Sequence, residues 1–270
     1  VTRSRDCPIG VFDSGLGGLT VANALMHRLP KESLLYVGDT ARVPYGPKSP
    51  DTVRRYALQI GAWLVGEGVK MVVVACNTAT AHALSTLQDA LPVPVVGVVS
   101  AGARAAVLAT QGGAIGVIGT RGTIASGAYT SAIHQWLPNV TVRGIACPML
   151  VPLVEEGWTD HPATRLIVRE YLAPLRAAAV DTLVLGCTHY PLLTPVIADE
   201  MGAAVRLIDS AAETAADVGT VLRDRNQLAD AAGPQPLHRF VVSDAPEHFL
   251  TLGSRFLDAP ITHVEHHVFA

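Results

Sequence analysis

A chain of 270 residues, 49% apolar and 16% charged, can bury one large core or two smaller ones, which sets it apart from disordered and fibrous sequences. Its formal net charge of −3 argues against a basic nucleic-acid face; no apolar run reaches bilayer length, and the amino-terminal residues lack the apolar stretch of a secretory signal. With no export signal, the four cysteines point to reduced thiols in a cytoplasm and not to a disulfide framework.

Taken in chain order, apolar runs of strand length fall at residues 9–12, 34–37, 71–75, 95–98 and 115–118. They continue at 140–145, 182–185, 205–208, 240–242 and 261–264. Helical patterns at 18–28, 52–67, 79–90, 126–136 and 163–178 lie between them. Alternation of this kind predicts an α/β fold, and continuous Val/Ile/Leu runs predict parallel strands covered on both faces.

Part of the chain repeats. Val72-Val73-Val74-Ala75-Cys76-Asn77-Thr78 matches Thr182-Leu183-Val184-Leu185-Gly186-Cys187-Thr188-His189, with the cysteines 111 residues apart. Residues 9–15 match 115–121 at an offset of 106, and 35–39 match 142–146 more loosely at 107. Three matches in order predict two similar α/β domains, pseudo-two-fold related, with parallel sheets facing across a cleft. The halves meet near 94–103, and the tail after Asp209 crosses back to complete the first. The expected domains are therefore 1–98 plus 209–270, and 99–208.

Strand ends in parallel α/β folds are where ligands bind. Asp13-Ser14-Gly15-Leu16-Gly17-Gly18 follows the first strand and opens a helix, offering free N–H groups to an anion without the dinucleotide-binding glycine pattern. Cys76 and Cys187 each stand where strand gives way to loop or helix, a place that favours thiolate formation. Thr78 stands where the second half has His189, and Asp13 offers a carboxylate on the first side as counterpart to that imidazole. Asn77, Thr78, Thr120 and Thr188, with Gly38-Asp39-Thr40 and Pro44-Tyr45-Gly46, add neutral donors and acceptors suited to carboxylates and an ammonium. Cys7 and Cys147 lack such companions and read as structural. Glu155-Glu156-Gly157 reads as a solvated turn in preference to a polar contact with the site. His263, His266 and His267 read as facing solvent and not as a metal site. The only lysines, Lys31, Lys48 and Lys70, avoid the carboxyl ends of strands, which disfavours pyridoxal phosphate chemistry.

At these residues the sequence resembles the cofactor-independent glutamate racemases. The resemblance runs from Ile9 to about Asp209 and also includes Gly119-Thr120 and Gly186-Cys187-Thr188-His189-Tyr190-Pro191. Aspartate racemases share the two-cysteine design but commonly carry an acidic residue where this chain has His189. The resemblance implies interconversion of L- and D-glutamate without a cofactor, supplying D-glutamate for bacterial peptidoglycan. It implies that Cys76 and Cys187 are the acid/base thiols, assisted by Asp13 and His189. Asp13, Ser14, Tyr45, Gly46, Asn77, Thr78, Thr120 and Thr188 are implied to hold the substrate. A homodimer with no nucleic-acid or membrane partner is the expected assembly. Competing readings are a racemase of another acidic amino acid, mainly aspartate, a two-lobed binding protein, and a cysteine hydrolase using Cys187 with His189.

Overall fold

In the computed structural model, residues 3–269 are described. The strands in chain order are β1 (Ile9–Asp13), β2 (Leu34–Gly38), β3 (Met71–Val74), β4 (Val95–Gly97) and β5 (Ala114–Gly119). They continue with β6 (Val142–Ala146), β7 (Val180–Gly186), β8 (Arg206–Ile208), β9 (His238–Val242) and β10 (Glu265–His266). The helices are α1 (Leu19–Arg28), α2 (Pro50–Gly66), α3 (Asn77–Ala90), α4 (Val98–Ala109), α5 (Arg121–Ala125) and α6 (Ala128–Trp136). After them come α7 (Leu150–Glu155), α8 (Pro162–Ala177), α9 (Thr194–Met201), α10 (Ser210–Asp224) and α11 (Pro246–Gly253).

The strands form two all-parallel sheets, one ordered β10-β9-β2-β1-β3-β4 and the other β6-β5-β7-β8. The segment β2-β1-β3-β4 of the first matches the whole of the second. Registers correspond too: Ile9 pairs with Leu34 and Met71, and Ile115 with Val142 and Thr182. β1, β2 and β3 are buried at every residue, so their apolar runs have both faces covered.

Side chains at strand ends start several helices. Cys76 Sγ accepts from Ala79 N to cap α3, Thr120 from Thr123 N to cap α5, and Asp209 from Ala211 N to cap α10. Residues with the chemistry of a site therefore also accept from the orphan amide groups of the helices that follow. The passage between the sheets is α4, which packs against α6 and α10, and Arg104 of α4 ties to Asp217 of α10 at 2.6 Å. One apolar cluster includes Ile9, Leu19 and Met71 from the first side and Ile118, Leu183 and Tyr190 from the second, so the sheets share a core.

The strand expected at 261–264 is absent. Ile261 turns into the core, 9% exposed, with its Cδ1 only 2.6 Å from where a Cβ on Gly253 of α11 would stand. That anchor holds the chain off the sheet edge until Glu265, whose carboxylate meets Arg239 of β9 at 2.8 Å. No helix among the described residues is long and apolar enough to cross a membrane.

Candidate active site

Because every strand is parallel to its neighbours, β1, β3, β5 and β7 deliver Asp13, Cys76, Thr120 and Cys187 at the carboxyl edges of their sheets. Both sulfurs are nearly enclosed, at 6% and 5% exposure. All four cysteines are free of disulfide bonds.

The first sulfur has acidic and hydroxyl neighbours. Cys76 Sγ lies 3.7 Å from Ser14 Oγ and accepts from Ala79 N at 3.4 Å. The sequence suggests that a helix amino terminus lowers such a thiol, but here the balance is the reverse. Burial and the nearby Asp13 charge outweigh the helix amide and push the Cys76 thiol up to about 12. Asp13 is wholly buried; it accepts from Gly15 N at 2.9 Å and from Thr188 Oγ1 at 3.4 Å. Burial raises its carboxyl above the usual range, opposed by His189 and by the amides of Gly15 and Gly18.

The second sulfur has a cationic neighbour. His189 Nδ1 stands 3.9 Å from Cys187 Sγ, while Nε2 stands 3.0 Å from Glu155 Oε1. Burial works to lower the imidazole, yet the bonds to Cys187 and Glu155 together outweigh it and push His189 up to about 10. Phe256 meets the ring edge-on at 5.9 Å and fixes its tilt. Glu155, expected in a solvated turn, is instead the last residue of α7 and the partner of His189.

The two sides touch. A Cβ on Gly17 would fall 2.3 Å from Thr188 Oγ1 and 2.5 Å from His189 Nδ1, so only glycine lets the β1–α1 loop lie against the loop after β7. Thr78 Oγ1 lies 2.8 Å from Thr120 Oγ1 and 3.2 Å from Thr123 Oγ1. Tyr129 OH donates to Asn77 Oδ1 at 2.7 Å, which leaves the buried Asn77 Nδ2 with no hydrogen-bond partner among the described residues. A free buried amide donor of this kind suits a carboxylate.

Gly46 carries the near wall. Its carbonyl accepts from Gly122 N at 2.9 Å, and a Cβ there would meet Thr120 Cβ at 2.7 Å. The Tyr45 hydroxyl points away to Asp39, leaving the backbone of residues 45–46 to face the cleft. A pocket of about 310 Å³ opens beside them, between Val43, Pro44 and Gly46 on one wall and Thr120, Val151, Pro152 and Glu155 on the other. Sequence reasoning reaches neither Thr123, Tyr129 nor Phe256; each comes from a helix or loop whose residue pattern is ordinary.

Among the described residues, no three of His, Cys, Asp or Glu converge so as to hold a metal ion. The late histidines disperse: His266 bonds Ser243 O at 3.1 Å and His267 packs on Trp63 at 4.9 Å. Lys70 precedes β3, at the end of the sheet remote from the cysteines.

The Asp/Glu/hydantoin racemase family matches residues 19–218. A glutamate racemase of Geobacter metallireducens is 54% identical over 249 residues, 92% of each chain. A glutamate racemase isoform of Bacillus anthracis superimposes with a TM-score of 0.93 at 43% identity, over 97% of this chain and 98% of that one. The glutamate racemase of Francisella tularensis, solved in complex with D-glutamate, superimposes with a TM-score of 0.91 at 37% identity, over 98% of both chains.

Proposed function

The chain belongs to the Asp/Glu/hydantoin racemase family, and from that membership and its two unlike cysteine sites we propose that it interconverts L- and D-glutamate by cofactor-independent proton transfer. The observation that carries the reading is the placement of Cys76 and Cys187 after equivalent strands, each with its own partner set.

The α-proton of an amino acid is weakly acidic, and its removal leaves charge that oriented donors must stabilise. Asn77 Nδ2 is a free buried donor suited to this, and the Thr78, Thr120 and Thr188 hydroxyls add further polar groups at the strand ends. A single base returns its proton to the face it left, so inversion calls for a base on one face and an acid on the other. Cys76, held as a thiol by burial and Asp13, is the proton donor at rest. Cys187, next to the His189 imidazolium, is the acceptor. The roles exchange for the opposite enantiomer. Asp13, Ser14, Tyr45, Gly46, Asn77, Thr78, Thr120 and Thr188 form the substrate-holding set. The two functional units are 1–98 with 209–270, and 99–208. A cytoplasmic homodimer supplying D-glutamate to peptidoglycan, with no nucleic-acid partner, completes the reading.

A coupled assay on D-glutamate with no cofactor added tests it directly. Cys76→Ala and Cys187→Ala are expected to retain their circular dichroism and lose racemisation; near-normal turnover in either removes the two-thiol scheme. In deuterated water the product is expected to gain deuterium at Cα.

A further inference from the structure

Behind the wall formed by residues 45–46 lies a polar hub that the reaction scheme does not use. Asp39 follows β2, is wholly buried, and spends its carboxylate on three side chains, two from its own loop and one from beyond β9. Tyr45 OH donates to it, Arg42 Nε reaches its two oxygens at 2.7 and 3.0 Å, and Ser243 Oγ donates at 2.8 Å. Ser243 also accepts from Ala41 N at 2.9 Å, and Asp244 N donates to Thr40 Oγ1 at 2.8 Å, so the whole loop after β2 is pinned to the end of β9.

Arg42 links this hub to the carboxy-terminal segment. Its Nη1 donates to Gln59 Oε1 at 2.5 Å, while the buried Nη2 has no hydrogen-bond partner among the described residues. Aromatic faces stand in for one: the guanidinium lies 4.1 Å from the Tyr56 ring centre and 5.5 Å from that of Phe269. Tyr45 leans on the same Tyr56 ring at 5.8 Å. One chain of contacts thus runs from Phe269 through Arg42 and Asp39 to Tyr45, and from Gly46 to Thr120 and Gly122.

A buried carboxylate needs partners to offset its desolvation, and an apolar side chain would pack β2 at least as well. What the ionised group adds is direction, since each partner it gathers fixes part of the loop that ends in Tyr45 and Gly46. We propose that Asp39 is a positioning residue for the Tyr45–Gly46 edge of the substrate site, and that Phe269, acting through Arg42, holds it there and so sets substrate affinity. The inference rests on the racemase reading only in taking glutamate as the ligand.

The experiment compares wild type with Phe269→Ala, Phe269→Tyr and Asp39→Asn, by steady-state kinetics in both directions and by calorimetric binding of D-glutamate. Phe269→Ala is expected to raise KM and Kd roughly two- to fivefold, the factor set by one partly exposed cation–π contact. Asp39→Asn is expected to raise both about tenfold, through loss of charge-assisted bonds. In both, kcat stays within about twofold, and Phe269→Tyr restores wild-type affinity. If Asp39→Asn fails to fold, the half-buried Phe269 pair carries the test. An unchanged KM and Kd, a fall in kcat alone, or Phe269→Tyr no better than Phe269→Ala would each overturn the proposal. Binding reads the network without turnover: a wild type that binds D-glutamate but does not racemise it counts against the reaction, and the variants' Kd still decides this inference.

Discussion

His189 has two hydrogen-bonding neighbours, and each asks for a proton on a different nitrogen. With the imidazole pushed up to about 10 against the opposing effect of burial, both nitrogens are protonated at neutral pH, Nε2–H facing Glu155 and Nδ1–H facing Cys187. A group whose folded value lies above its ordinary value of about 6.5 contributes its full stabilisation below that value and loses it as pH climbs through the folded one. The stabilisation from His189 therefore drains away between neutral pH and about 10. Glu155→Gln keeps a hydrogen-bond acceptor but removes the charge, so the loss still begins near the ordinary value but is expected to be smaller and to be complete at lower pH, with a cost of about 1–2 kcal/mol at pH 7. Urea unfolding at steps from pH 6 to 10 measures this, and identical wild-type and variant curves would release Glu155 from the role. Cys76, Cys187, Asp13 and His189 are legible in the sequence because each sits in a short motif at a strand's end. Glu155 is not, because its partner is 34 residues away and two glutamates before a glycine have the composition of a turn.

Among the elements, strands with both faces buried are the most legible, since a continuous apolar run leaves few other conformations. Short helices such as α5, α7 and α11 span five to eight residues, too few for a periodic pattern to emerge. β10 is two residues at a sheet edge, and the anchoring of Ile261 that decides where it starts is a tertiary contact. The amino ends of β2 and β3 hold a feature no pattern announces: Lys70 and Glu32 form a buried ion pair at 2.5 Å. Lys70 Nζ also donates to Arg5 O at 2.6 Å and Gln227 O at 2.9 Å, so the charge is fully used. Removing one partner leaves an uncompensated buried charge, and Glu32→Gln is expected to cost about 3–5 kcal/mol. The double variant Glu32→Leu with Lys70→Met is expected to cost less than that single change. Denaturant midpoints at pH 7 give both numbers, and a Glu32→Gln protein as stable as wild type would show that water reaches the pair.

At the scale of the whole molecule, the shared strand order and register of the two sheets make the internal repeat visible in three dimensions, and the site lies where the two copies meet. That meeting is closed. Gly46 is bonded to Gly122, Thr78 to Thr120, and Asn77 to Tyr129, while both sulfurs are almost shut off from solvent. An amino acid reaches the sulfurs only when these contacts part, and the same opening must admit an alkylating reagent. Iodoacetamide is therefore expected to modify the half-exposed Cys7 quickly, and Cys76 and Cys187 slowly, with activity lost in step with the slow phase. A second cause slows Cys76, since the thiolate is the nucleophile and this group is held as a thiol. Added D-glutamate separates the two causes. By mass action it holds the cleft shut over bound substrate, so it slows both cleft sulfurs without changing Cys7, which precedes β1 at the opposite edge of its sheet. Peptide mapping by mass spectrometry reads each cysteine separately. Modification of Cys76 and Cys187 as fast as Cys7, or protection by glutamate that extends equally to Cys7, would mean that access to the sulfurs is not governed by parting of the two sides.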